Sequence, residues 1–174
     1  MDLKEKLKIW EWARIPSRYW TEKIEVPNNV TVFRDFNRVL KEKSGIVFWN
    51  NDNVDVAVTA CGVLSLRVVL IEQPGLFLNA FELSSAKIDK FEEEITIWEK
   101  CKSTDFLVID GIMRAGSSTI MKQALIEILW HRFQWRLFTV LDIYCDADNI
   151  QELQTTIGPA AANIVEKNYL KVKV

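Results

Sequence analysis

One histidine, His131, and three scattered cysteines, Cys61, Cys101 and Cys145, leave this 174-residue chain little with which to hold zinc. A zinc site draws on closely spaced nitrogen and sulfur ligands, and no CxxC or paired-histidine spacing occurs. An odd number of distant cysteines argues for free, mostly buried thiols in a reducing compartment. No apolar run approaches the ~18 residues of a membrane span. The first residues, MDLKEKLKIWEW, are charged and lack the apolar core of a secretory signal. These absences predict a cytoplasmic protein with no membrane partner. Positive charge is not in surplus either. The 22 Lys and Arg residues are outnumbered by 24 Asp and Glu residues, so a protein that coats phosphate backbone by charge alone is excluded. A local basic face remains open. No repeat or low-complexity linker divides the chain, whose length suits one domain.

What is present is a run of short apolar segments. GIVFW (45–49), RVVLI (67–71), FLVID (106–110) and FTVLDI (138–143) are continuous rather than alternating, as strands buried on both faces of a parallel sheet are. LKVKV (170–174) is a weaker fifth. Helical patterns separate them at 54–64, 76–83 with 87–101, 118–135, and 149–156 with 159–168. A further helix is expected over 2–13, stopped by Pro16. Strand and helix in alternation predict an α/β three-layer fold with a parallel sheet flanked by helices. The expected organisation is an N-terminal helix and lead-in over 1–20, then a single domain over 21–174.

In open parallel sheets, ligands bind beyond the carboxyl ends of the strands. The third strand ends in Asp110, and four apolar residues followed by an aspartate form the Walker B pattern, in which the acid holds magnesium. Such an aspartate serves equally often as a loop starter or helix cap.

Several segments together are more specific. ARIPSRYW resembles the short segment ahead of the ATPase core in the AAA+ helicase loaders of the DnaC/DnaI type and the related IstB-type transposition ATPases. SGIVFWNNDNVDVAVTA stands where that family has its first strand, P-loop and first helix. RVVLIEQPGLFLNAFE resembles its second strand and following helix. TDFLVIDGI and MKQALIEILWHRFQWRLFTVL resemble its Walker B strand, next helix and sensor 1 strand. The resemblance covers nearly the whole chain and implies a five-stranded parallel sheet of AAA+ order.

The family's chemistry is missing. A P-loop cradles phosphate with backbone N–H groups freed by glycine and neutralises it with lysine. Position by position, the glycines fall on Asn50, Asn53 and Asp55, the lysine on Val56, and the magnesium-binding hydroxyl on Ala57. Asp52 and Asp55 would repel a triphosphate by about 1 kcal/mol per pair in water at ~4 Å and about 4 kcal/mol at an effective dielectric near 20. The glutamate that follows the Walker B acid is Gly111. Sensor 1 candidates are Asp142, Tyr144 and Asp146, and two arginines of the last helix fall on Ala160 and Ile164. Of the nucleotide machinery only Asp110 remains. The expectation is a degenerate site that binds no nucleotide, metal or other cofactor.

Other features have two readings each. Lys122, Arg132, Trp135 and Arg136, with Trp130 and Phe133, could bind single-stranded nucleic acid, with Arg67 and Arg114 extending the surface. Alternatively the aromatics face the sheet and the bases are solvated. Trp10 and Trp12 could anchor a partner, Trp12 being the more exposed. His131 reads as a helix-end residue without a catalytic partner, and Ile88, Phe91, Ile95 and Trp98 as the sheet-facing side of a charged helix. The function expected is that of a catalytically inactive, helicase-loader-like replication accessory. Its source would be a phage or mobile element, and it would contact a replicative helicase or its loader, with single-stranded DNA as a further ligand and self-association open. The alternatives are an inhibitor or decoy of a loader, and an ATPase with an unusual loop.

Overall fold

The computed structural model describes residues 2–20, 23–51, 56–70, 74–88, 96–113 and 118–174. At its centre lie five strands: β1 (Gly45–Trp49), β2 (Gly75–Asn79), β3 (Phe106–Met113), β4 (Phe138–Tyr144) and β5 (Tyr169–Lys173). Their spatial order is β2-β3-β4-β1-β5, and every neighbouring pair is parallel. Side chains alternate between two cores, as the pleat requires. Ile46, Phe48, Phe106, Val108 and Val140 face one layer. Val47, Trp49, Leu107, Ile109 and Leu141 face the other. Both faces are covered, which is why these strands read as continuous apolar runs.

The first layer holds α1 (Leu3–Trp12), α2 (Phe36–Glu42) and α3 (Val56–Val69). The second holds α4 (Ala80–Ile88), α5 (Ile97–Ser103), α6 (Thr119–Gln134), α7 (Ile150–Ile157) and α8 (Pro159–Asn168). Residues Ala13, Ile15 and Tyr19 of the lead-in pack into the first core with Trp10.

One expected strand is displaced. Residues 67–69 of RVVLI close α3, Ile71 lies outside the described residues, and the second strand is GLFLN, residues expected to open a helix. Helix α3 is apolar on nearly all sides because it is enclosed by sheet and lead-in, so its last turn has the composition of a buried strand. The expected 87–101 helix is also revised. Its first two residues end α4 and its last five begin α5, while Phe91 and Ile95 lie outside the described residues. Ile88 ends α4 exposed, and Trp98 is half-buried against the second core.

Helices α1 and α6 end alike. The residue after each C-cap, Arg14 and Arg136, has positive φ, 62° and 54°. Ile15 N–H donates to the Trp10 carbonyl and Arg14 N–H to that of Glu11; Leu137 and Arg136 bond Arg132 and Phe133 in the same way. This is the Schellman closure, which ordinarily has glycine at the left-handed position.

Candidate functional site

Towards the carboxyl ends of β3 and β4, polar side chains gather under α3. Thr59 is the hub. Its hydroxyl donates to Asp110 Oδ1 at 2.8 Å and lies 2.9 Å from the Tyr144 hydroxyl. Asp142, one pleat below on β4, is fully buried. Neither of its oxygens meets a fixed donor, but the Asp110 carboxyl is within hydrogen-bonding reach. A proton shared between the two acids would satisfy both. Burial, and then the neighbouring Asp110 charge, raise Asp142 well above the usual carboxylate range. Burial likewise raises Asp110, against the pull of Thr59, Asp142 and the Arg18 guanidinium.

Helix α3 approaches so closely that a Cβ on Gly62 would fall 2.0 Å from Asp142 Oδ2. The lead-in closes the cluster from the other side. Tyr19, in the short 3-10 turn Ser17–Tyr19, buries its hydroxyl near Thr59, and Arg18 stands 4.7 Å over the Tyr19 ring.

Asp110 points one oxygen at Thr59, two residues past the position of the P-loop hydroxyl, and the other acid, Asp142, is enclosed beneath it. No group of three or more His, Cys, Asp or Glu residues is placed to hold a metal among the described residues. Gly111 has φ 76°, where β3 bulges between Ile109 and Ile112. A glutamate there would have to adopt left-handed backbone. Asn50 is engaged in the fold: its N–H donates to the Ile143 carbonyl at 3.3 Å and its side-chain amide to the Val174 carbonyl at 3.0 Å. Asn53 and Asp55 lie outside the described residues, Val56 begins α3, and Ala57 is half-buried in its first turn.

The expected nucleic-acid residues are not brought together. Lys122 is in the first turn of α6, packed near Gly158, while Trp135 and Arg136 follow its last turn. Arg132 has to be removed from that set, because it is completely buried. Its Nε donates to Thr139 Oγ1 at 2.8 Å. Its two terminal nitrogens donate to the carbonyls of Cys101, Thr104, Asp105 and Phe138. Strands β3 and β4 begin there, and the guanidinium ties their first carbonyls to the end of α5. Burial draws the guanidinium down to about 10. The alternative reading of α6 is also reversed, since Trp130 and Trp135 are exposed and only Phe133 packs on the core. Arg114 lies outside the described residues, and Arg67 sits 4.0 Å over the Trp10 ring. Trp10 is therefore buried and is no partner anchor, whereas Trp12 is 88% exposed.

The sequence reading missed Thr59 and underused Tyr19. A hydroxyl inside the apolar stretch VAVTACGVL was the available signal, since it needs a partner on whichever face is buried.

No protein-family model matches the chain, and no curated protein sequence does. Solved structures do. A DnaC helicase loader superposes with TM-score 0.66 at 15% identity, over 91% of this chain and 99% of that one. A DNA replication initiation factor gives TM-score 0.70 at 13% identity, over 92% of this chain and 50% of that one. AMPPCP-bound DnaA from Aquifex aeolicus gives TM-score 0.62 at 13% identity, over 86% and 48%. The chain thus spans about half the length of the last two. At such identities the likeness is one of fold: an AAA+-type parallel sheet flanked by helices.

Proposed function

We propose that this chain is a nucleotide-free AAA+-type accessory of DNA replication that acts by contact with a replicative helicase or its loader. One observation carries the reading: the acid at the Walker B position faces inward, with Asp110 bonded to Thr59 and beside Asp142. The loop sequence supports it, since NNDNVDVA has neither glycine nor lysine for a phosphate. So does Gly111, whose left-handed backbone disfavours the glutamate that polarises water. The replication context rests on the kinship of fold with a DnaC helicase loader, a replication initiation factor and DnaA. Exposed Trp12 is the anchor we assign to the partner. A cytoplasmic location and a phage or mobile-element source complete the proposal.

Titration with a fluorescent ATP analogue and magnesium tests the central point. No binding is expected at micromolar protein, and micromolar affinity overturns the reading. A helicase-loading assay then fixes the sign of the effect. Stimulation supports an accessory, and inhibition supports a decoy that occupies a loader ring.

A further inference from the structure

The opposite edge of the sheet has a different character. Arg136, Lys43 and Lys167 each stand two residues ahead of a strand: β4, β1 and β5. These strands are consecutive neighbours in the sheet. Gly45 is in register with Tyr169 and Thr139, and the Ser44 backbone bonds both Asn168 and Thr139. The three cations therefore stand at the amino ends of neighbouring strands, on one edge of the sheet. All three are exposed, as is Lys41 in the last turn of α2. None of the four makes an ion pair among the described residues, whereas the nearby Glu166 is held by Lys171 at 2.8 Å. Glu42 and Asp105 are the acids that remain. Beside Arg136 the Trp135 indole is 68% exposed, with the His131 ring 6.1 Å away.

Helix ends attract cations in any protein, and α2, α6 and α8 all end here. That does not account for Arg136. His131 already stands in the last turn of α6, and residue 136 occupies a left-handed position where glycine is the favoured residue. A side chain kept at a strained position points to use.

We propose that this edge binds single-stranded DNA, with Arg136, Lys43 and Lys167 on successive phosphates and Trp135 stacked on an unpaired base. A single strand suits the surface because an exposed indole needs an open base face. The cations gather at the starts of three neighbouring strands, a patch that meets only a few phosphates. The inference deepens the replication reading by locating one of its ligands, and it is independent of the ATP question.

The test is fluorescence anisotropy with a labelled ~20-nucleotide thymidine oligomer, at about 50 and about 200 mM salt. Wild-type protein is expected to bind at the lower salt. Lys43→Glu/Arg136→Glu/Lys167→Glu should weaken binding at least ~tenfold and flatten the salt slope by about 0.7 for each cation removed. Trp135→Ala should weaken it about fivefold or more. Arg136→Gly separates function from structure: it should raise the melting temperature while lowering affinity. Lys122→Glu, at the other end of α6, should bind as wild type. No wild-type binding, tighter binding to a duplex of equal length, or unchanged affinity in the triple variant overturns the proposal. These results leave the nucleotide-free reading standing, just as binding of the ATP analogue would leave this one standing.

Discussion

The two edges of the sheet treat polar groups in opposite ways. At the carboxyl edge, Thr59, Asp110, Asp142 and Tyr144 turn inward and answer one another. At the amino edge, Arg136, Lys43 and Lys167 turn outward and are answered by no acid among the described residues. Arg132 sharpens the contrast, because it lies four residues before Arg136 with its guanidinium wholly enclosed. A charge built into the fold and a charge offered to solvent thus sit one helical turn apart. Residue type does not separate them. Only the surroundings do.

Substitutions test the contrast, and the largest effect belongs to Arg132. Arg132→Ala takes a donor from four carbonyls and from the Thr139 hydroxyl, though the Asp105 carbonyl keeps another, the Phe138 N–H, and opens a cavity. A loss of roughly 3–5 kcal/mol in urea unfolding is expected. A loss below about 1 kcal/mol would erase the distinction from an exposed arginine. Next is Gly62→Ala, which drives a methyl onto Asp142 and should cost about 1–3 kcal/mol. Combining it with Asp142→Ala should recover part of that loss, and strict additivity would show that the contact is not the cause.

The pH dependence of stability follows. Asp142 binds its proton more tightly folded than unfolded, because burial raises it above 3.8. The native state then holds more protons than the unfolded chain. Stability is therefore fully present below the unfolded value and declines as pH rises towards the folded one. Unfolding in urea at successive pH values should show that decline for wild type and a flatter profile for Asp142→Asn, whose amide can donate to Asp110 without titrating. Parallel profiles would assign the slope to other groups. Trp12→Ala should have the smallest effect on stability, within about 0.5 kcal/mol by thermal melting, because the ring packs on nothing in the core. A larger loss would mean that Trp12 belongs to the fold.

The sequence made the inside of the sheet legible and its edges much less so. Apolar runs disclosed β1, β3, β4 and β5 because burial on both faces leaves no room for alternation. The same signal misplaced β2, because the last turn of α3 has the apolar, β-branched composition of a strand although Val68 is exposed. Asp110 could be read locally, as the acid that follows a buried apolar run. Thr59 could not, since its partners Asp110 and Tyr144 are 51 and 85 residues away. Nor could the fate of Arg132, whose acceptors are backbone carbonyls that carry no mark in the sequence.

The contact between Gly62 and Asp142 ties together two positions far apart in the chain. Helix α3 lies so close over the sheet that residue 62 has no room for a side chain while the acid is present. A larger residue at 62 therefore requires a smaller one at 142, and the pair can change at low cost in one order only, the acid first.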